Sequence, residues 1–249
     1  MIRFRSKFHH NWFAILYFNF KMLPFKQAIK LPFDFYHKVR FQDLSGRIIL
    51  NCDSIKRGSY HWGLIQHEIF PALESIISIK GTLIINGSSI AFGGGTMLEI
   101  NENSVLELND DLLIAPRTKI ILQESVLIGK HVRVGWESQI LDSNFHFMRN
   151  LLTGEIKKRT SPIKIGNYCW IGNRVTIGKG TVLPDHCIVA SNSICNKAFS
   201  NINSKSITIA GLPAKQISEN WERIFESIEP DIVNELYQKE KILRNNEMN

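Results

Sequence analysis

Residues 162–195 read PIKIGNYCWIGNRVTIGKGTVLPDHCIVASNSIC, and this stretch decides the fold. An aliphatic residue recurs at every sixth position: Ile165, Ile171, Ile177, Leu183 and Val189. Two places earlier in each repeat, a second set keeps the same period: Cys169, Val175, Thr181, Cys187 and Ser193. A period of six fits neither an amphipathic helix nor a simple alternating strand. It is typical of a solenoid whose short strands meet at tight corners, so the stretch predicts a parallel β-helix.

Glycine follows the aliphatic residue at Gly166, Gly172 and Gly178. Such glycines suit corners that need a positive φ or a close approach of two backbones. Upstream, the six-residue period runs through Val134 and Ile140, and the next position in phase is His146. The repeat therefore breaks off at a histidine.

Residues 147–161 fit no six-residue repeat, so they predict a loop that leaves the solenoid. Loops on a regular scaffold often carry binding groups. This loop contains four cations that could contact a ligand or form a solvated charged surface: Arg149, Lys157, Lys158 and Arg159.

Composition divides the chain into three parts. Residues 1–47 are basic and rich in aromatics, and they predict either a cap on the open end of the solenoid or an anchor in a membrane interface. We favour the cap, because solenoid ends must be covered. Residues 48–212 are predicted as the β-helix, with its first strand at 46–50. The pattern over 51–97 is irregular, although Ile79, Ile85 and Ile90 are candidates for early, imperfect coils. Residues 213–249 are predicted as a helical tail, with a helical pattern from Ser218 onward.

The chain has 249 residues, a net charge of +7 and four cysteines. The charge predicts affinity for anions such as a nucleotide, a phosphosugar or an acidic membrane face. The cysteines form no CxxC pair and no zinc spacing, so we expect buried thiols and no metal site. No apolar run is long enough to span a bilayer, and the N-terminus lacks the features of a signal peptide. We therefore expect a cytoplasmic protein.

His146 is the sharpest candidate for chemistry. Imidazole changes its protonation state between pH 5 and 8, which suits a general base acting on a hydroxyl group. Asp142 and Asn144 lie close by in the sequence. A carboxylate beside an imidazole can fix its tautomer and stabilise the imidazolium that forms. A histidine with a packing role alone is the alternative at this position.

The combination of residues 134–146, the stretch quoted above and ITIAGLPAKQI at 207–217 resembles the hexapeptide-repeat acetyltransferases that modify sugars. The likeness is strongest to capsular-polysaccharide and galactoside or maltose O-acetyltransferases, and it covers about Ile100 to Ile217. The resemblance implies a left-handed β-helix, a homotrimer, and acetyl-CoA bound in a groove between neighbouring subunits. It gives no indication of a nucleic-acid partner.

The resemblance also implies roles for individual residues. His146 matches the catalytic base, and Asp142 matches the acidic residue four places before it. The acetyl-CoA contacts carry over to Asn173, Ala190, Ser191, Asn196, Lys197 and Lys215. The residues expected to contact the acceptor are Trp136, Asn144 and Trp170. Two positions depart from the family pattern: Asn144 stands where relatives often have Asp, and Leu212 stands where they have Asn.

The sequence leaves other functions open. An amino-sugar N-acetyltransferase would use the same scaffold and the same base. A metal hydratase of the γ-carbonic-anhydrase kind would need three histidines around one ion, and His131, His146 and His186 lack that spacing. A non-catalytic scaffold is disfavoured by the presence of His146 with Asp142.

Overall fold

A computed structural model describes residues 10–52, 54–64, 71–200 and 204–247. Its strands, numbered in chain order, form three parallel sheets that are the faces of a β-helix, as predicted. The first sheet contains β1 (Phe33–Phe35), β4 (Tyr60–Leu64), β7 (Ile90–Gly93), β10 (Leu112–Ile114), β13 (Arg133–Val134), β18 (Trp170–Ile171), β21 (Ile188–Val189) and β23 (Ile207–Gly211). The second contains β2 (Val39–Asp43), β5 (Ser75–Ile79), β8 (Met97–Ile100), β11 (Lys119–Leu122), β14 (Gln139–Leu141), β19 (Thr176–Gly178) and β22 (Ile194–Cys195). The third contains β3 (Arg47–Leu50), β6 (Thr82–Ile85), β9 (Val105–Leu108), β12 (Ser125–Ile128), β17 (Ile163–Ile165) and β20 (Val182–Leu183).

Each coil passes through the three sheets in the same order. We call the corner from the first sheet to the second the first edge, the corner from the second to the third the second edge, and the corner back to the first sheet the third edge. All pairings within the β-helix coils are parallel, as expected for stacked coils.

The two sets with a period of six fill the core. The five aliphatic residues of the first set are at most 1% exposed, and so are the five residues of the second set. Burial raises the pKa of the Cys169 thiol to about 12, so this thiol stays protonated at neutral pH. The buried free cysteines confirm the prediction made for Cys169 and Cys187.

The corner glycines are required for close approach. A Cβ atom on Gly172 would lie 2.7 Å from the Ser191 nitrogen, and one on Gly166 would lie 2.6 Å from the Asp185 nitrogen. The positive φ angles at these two corners fall instead two places later, on Tyr168 and Arg174, both at 56°. The glycines therefore set the spacing between successive coils.

The β-helix begins at Phe33, before the predicted start at residue 48. Strand β1 pairs with β4 and strand β2 pairs with β5, so these strands form the first coil. Residues 51–97, predicted as irregular, contain β4 to β7. The period is hidden there because large aromatics such as Tyr60, Trp62 and Phe92 occupy the core, each at most 1% exposed.

Helix α1 (Trp12–Met22) covers this end of the core, whereas residues 33–47 of the predicted cap belong to the first coil. Ile15 and Phe18 are fully buried. The Phe18 ring packs edge-on against Phe33 and Phe35, with 5.0 Å between ring centroids in each pair. A short helix, α2 (Phe25–Ala28), follows. Residues 1–9 lie outside the described residues.

The C-terminal part differs from the predicted helical tail. Strand β24 (Ala214–Glu219) folds back antiparallel on β23, and residues 220–229 form an irregular segment with a turn at 226–228. Helix α3 (Pro230–Glu247) is the one helix found after the β-helix in the described part, and it is largely exposed. The apolar spacing from Trp221 to Ile228 suggested a helix, but this segment is not helical. Phe225 is buried because it packs on the first sheet. None of the described helices is long and apolar enough to span a bilayer.

Candidate active site

The predicted excursion leaves the β-helix at the second edge, between β14 and β17. Its arm is a hairpin of β15 (Met148–Arg149) and β16 (Ile156–Lys157) with exposed side chains. At its neck, the Asn144 N–H donates to the Arg159 carbonyl at 2.9 Å. The Lys179 ammonium, on the next coil, donates to the Lys158 carbonyl at 2.7 Å. The neck is therefore fixed to the coils of the solenoid.

His146 lies on a tight turn just beyond this neck. Its N–H donates to the Asn144 carbonyl at 2.8 Å, and the intervening Phe145 has a φ of 62°. This is the strained form of a γ-turn, and such strain is concentrated at functional sites. Ser143 Oγ accepts from the Phe145 N–H and donates to Gln123 Oε1, both at 2.9 Å. The backbone is thus held rigidly, while the imidazole is exposed and no described residue hydrogen-bonds to its ring.

Asp142 is fully buried and is occupied by backbone groups. Its Oδ1 accepts from the Gln123 N–H and its Oδ2 accepts from the Glu124 N–H, both at 2.8 Å. Burial raises the pKa of the Asp142 carboxyl, and the bonds from backbone N–H groups oppose that rise. Within one subunit, the Asp142 carboxylate therefore fastens the preceding coil and makes no contact with the His146 ring. Its predicted catalytic role stays a prediction.

Four of the residues predicted to bind acetyl-CoA lie at or near the first edge. Asn173 and Ser191 occupy this corner on successive coils, and Ser191 Oγ donates to Asn173 Oδ1. Ala190 precedes Ser191 there. Lys215 pairs with Ala210 at the end of β23, beside the same corner. These residues line a flat edge, because Gly172 admits no side chain between the coils.

The other two predicted cofactor residues lie at the second edge. Asn196 and Lys197 follow β22, which pairs with β19, and β19 pairs with β14. They are therefore on the same edge as His146, two coils further along. The Lys197 ammonium is 5.3 Å from the Phe199 ring centroid.

The predicted acceptor residues are also divided. Trp136 lies at the first edge, where its carbonyl accepts from the Arg174 N–H at 2.9 Å. Asn144 lies at the second edge beside His146. Trp170 is on the outer face of the first sheet, 41% exposed, with the Arg223 guanidinium 5.5 Å from its ring centroid. Within one subunit, the structure does not bring Trp136 or Trp170 to His146.

A stack of rings occupies the third edge. His131, Tyr168 and His186 lie one above another on successive coils, with 4.8 Å between neighbouring centroids. His131 Nδ1 is 2.8 Å from Asp111 Oδ2, and His186 Nδ1 is 3.0 Å from Glu222 of the C-terminal segment. His131 and His186 are thus paired away from His146, and no cluster of His, Cys, Asp and Glu suited to a metal occurs in the described part of the chain.

Sequence reasoning missed Lys179 and Gln123, which hold the neck and the turn of the excursion. Leu141 is paired with Gly178, so Lys179 occupies the same corner position as Asp142 on the next coil. Counting coil positions along the second edge would have found Lys179. The amide of Gln123 carries no such signal, because its role depends on the turn that Ser143 makes.

Two curated proteins match parts of this chain. WbbJ of Escherichia coli K12, whose name is that of a lipopolysaccharide biosynthesis O-acetyl transferase, is 25% identical over 141 residues, covering 53% of this chain and 70% of WbbJ. The galactoside O-acetyltransferase of Escherichia coli K12 is 26% identical over 130 residues, covering 52% of this chain and 58% of that protein, less than two thirds of its length. The solved structure of the polysialic acid O-acetyltransferase OatWY aligns at a TM-score of 0.39 with 22% identity, over 78% of this chain and 96% of that chain. No protein-family model matches the chain.

Proposed function

We propose that this chain is a hexapeptide-repeat acetyltransferase that moves the acetyl group of acetyl-CoA to a hydroxyl group of a sugar, as its likeness to O-acetyltransferases supports. The acceptor would be a cell-surface polysaccharide or its precursor. We assign the reaction to the β-helix and its excursion, with the N-terminal cap and the C-terminal segment as appendages. The observation that carries the proposal is the exposed imidazole of His146 on a rigid turn at the second edge.

In this proposal, His146 is the general base. Acetyl-CoA supplies an activated acyl group, and the acceptor hydroxyl must lose its proton as its oxygen attacks. The imidazole of His146 would take that proton and later give it to the departing thiolate. The strained turn at Phe145 would keep the ring in place, since a base contributes only when it is within hydrogen-bond reach of the proton.

The division of the predicted residues between two edges supports a site built from two subunits. The second edge offers His146, Asn196 and Lys197, while the first edge offers Asn173 and Ser191. In one subunit the second sheet separates these two edges. A ring of three subunits would set the second edge of one chain against the first edge of the next.

The first edge also suits the donor. A pantetheine chain needs a flat surface with backbone amides and small side chains, which Gly172, Ala190 and Ser191 provide. Lys215, close to the same edge, would meet a phosphate of the nucleotide part through a charge-assisted contact. Because acetyl-CoA is a cytoplasmic metabolite, the reaction would take place in the cytoplasm.

The first experiment tests the base. Purified protein is incubated with acetyl-CoA and a panel of oligosaccharides, with thiol release and product mass as readouts. His146→Ala should lower kcat by about 10²–10⁴, the usual contribution of general-base assistance, and leave acetyl-CoA binding unchanged by calorimetry. His186→Ala, a histidine on the third edge, is the matched control and should keep the parent rate. Near-parent turnover by His146→Ala would remove this residue from the mechanism.

The second experiment tests the two-subunit site. Ser191→Trp fills the first edge, and His146→Ala removes the base from the second, so neither variant alone should be active. When both chains are expressed together in equal amounts, random assembly into rings of three should restore roughly a quarter of the parent sites. A site contained in one subunit predicts no recovery, and a monodisperse, active monomer by light scattering would also contradict the proposal.

A further inference from the structure

We infer that the outer face of helices α1 and α2 is a docking surface for an anionic lipid bilayer. The inference concerns where the protein works and does not depend on the reaction proposed above. It follows from side chains that the cap leaves uncovered.

Helix α1 is apolar on two opposite sides. Ile15, Phe18 and Met22 face the core, at most 8% exposed. At 100° per residue, Phe13, Leu16 and Phe20 point in the opposite direction. Phe13 is 81% exposed, and Leu16 and Phe20 are each 48% exposed. The buried side of the helix therefore caps the solenoid. Capping does not account for the exposed apolar side chains on the opposite side.

The exposed apolar side chains form one continuous surface. The Phe13 and Tyr17 rings are stacked with 6.2 Å between centroids, and the Phe20 and Phe25 rings are 6.1 Å apart. Large side chains exposed on this surface are Trp12, Phe13, Leu16, Tyr17, Phe20, Phe25 and Ile29. Single exposed hydrophobics are ordinary on a protein, whereas a contiguous patch marks an interaction site.

The charge around the patch identifies its occupant. Residues 11–33 include Lys21, Lys26 and Lys30 and no acidic residue. All three lysines are exposed, and the Arg57 guanidinium lies 4.7 Å from the Trp12 ring centroid. Aromatic rings beside cations are the composition of helices that lie in the interface of anionic membranes. A second copy of this face would bring like charges together, so association between copies is disfavoured.

The surface is remote from the predicted catalytic residues. Along the second sheet, four pairings separate β2 in the first coil from β14, whose coil carries His146. At about 4.8 Å per pairing, the distance along the axis is about 19 Å. Changes on α1 should therefore alter membrane binding and leave transfer between dissolved substrates unchanged.

The test uses the full chain and vesicles of phosphatidylcholine alone or with about a third phosphatidylglycerol. The parent should sediment with the anionic vesicles, bind the neutral ones far more weakly, and be released by about 1 M salt, where charges are screened within about 3 Å. Changing the three lysines to Gln should weaken binding about 100-fold, since each contributes about fivefold near an anionic surface. The triple variant Phe13→Ser, Leu16→Ser, Phe20→Ser should lose binding as well.

Ile232→Ser, Leu236→Ser, Leu243→Ser is the matched control, because it removes three exposed apolar side chains from α3. It should bind vesicles like the parent, and all variants should keep the parent circular dichroism and melting temperature. The inference is overturned if the parent ignores anionic vesicles or if the α1 serine variant binds as tightly as the parent. A change in sedimentation coefficient of that variant without a change in vesicle binding would also overturn it, because the face would then join copies of the chain.

Discussion

Asp142→Asn should destabilise the fold, and the reason lies in two backbone groups. The carboxylate accepts from the N–H groups of Gln123 and Glu124 at 2.8 Å, in a position with no solvent access. An asparagine keeps one acceptor oxygen and places an NH2 group against the second N–H. One donor is then buried without an acceptor and a charge-assisted bond is lost.

The expected loss is about 2–3 kcal/mol, since a buried donor without a partner costs about 1–3 kcal/mol and a bond to a charged group is worth more than a neutral one. In a chain of this length, 1 kcal/mol corresponds to about 2–4 °C in Tm, so the melting temperature should fall by about 4–12 °C. At a temperature where the variant stays folded, kcat should fall less than about tenfold, because the loosened neck carries His146 but the base itself remains. Differential scanning calorimetry and acetyl-transfer kinetics on the same preparations measure both effects.

Asp110→Asn is the matched control. Asp110 Oδ1 accepts from the N–H groups of Ser88 and Ser89 at 2.6 and 3.1 Å, at the third edge. Because both bonds go to one oxygen, which an asparagine keeps, this variant should melt close to the parent and keep the parent kcat. The reasoning is refuted if Asp142→Asn melts like the parent and loses kcat by about 10⁴, the scale seen when an amide replaces a triad carboxylate. The carboxylate would then act on the imidazole in the working enzyme.

Two further predictions follow from charged groups. Replacing Lys215 or Lys197 with Ala should raise the KM for acetyl-CoA about ten- to a hundredfold, because each cation would meet a phosphate of the donor. The KM for the acceptor should stay nearly unchanged. If both variants bind acetyl-CoA as tightly as the parent by calorimetry, acetyl-CoA binds elsewhere on the protein. At Asp111, burial favours the neutral acid, but hydrogen bonds from Ser227, Arg133 and His131 outweigh it and hold the pKa below the ordinary value of 3.8. Its stabilisation is therefore complete above that value and lost as the pH falls through the lowered pKa, so Asp111→Asn should melt below the parent at pH 7, and the difference should shrink as the pH falls below 3.8. A melting difference that does not change with pH would assign the effect to packing.

The N-terminal segment illustrates where sequence reasoning stopped. Its aromatic and basic composition fits both a cap and an interfacial anchor. Composition alone could not show which side chains pack on the core and which are exposed. The fold did so, because α1 lies on the first coil and turns Phe18 inward and Phe13 outward. The early coils were only faintly indicated by Ile79, Ile85 and Ile90, for a related reason. Trp62 and Phe92 fill the axis there with stacked rings, centroids 3.8 Å apart, where aliphatic side chains fill it in later coils.

The sequence by itself determined the β-helix and the residues on its axis. Whether a side chain points inward depends on its position in a short strand between two corners, which is a local property repeated along the chain. It also determined the place where the repeat stops, and with it the exposed His146.

The tertiary structure decided which polar groups meet, because those contacts join different coils. Coil length varies: paired positions are 20 residues apart at Asp111 and His131, 37 apart across the excursion at Gln139 and Thr176, and 18 apart at Asn167 and Asp185. The period of six indicates which side chains point inward, but it does not give the number of residues in each coil. It therefore could not place Asp142 against the backbone of the preceding coil. Nor could it separate the predicted acetyl-CoA residues onto two edges, which follows from how the coils stack.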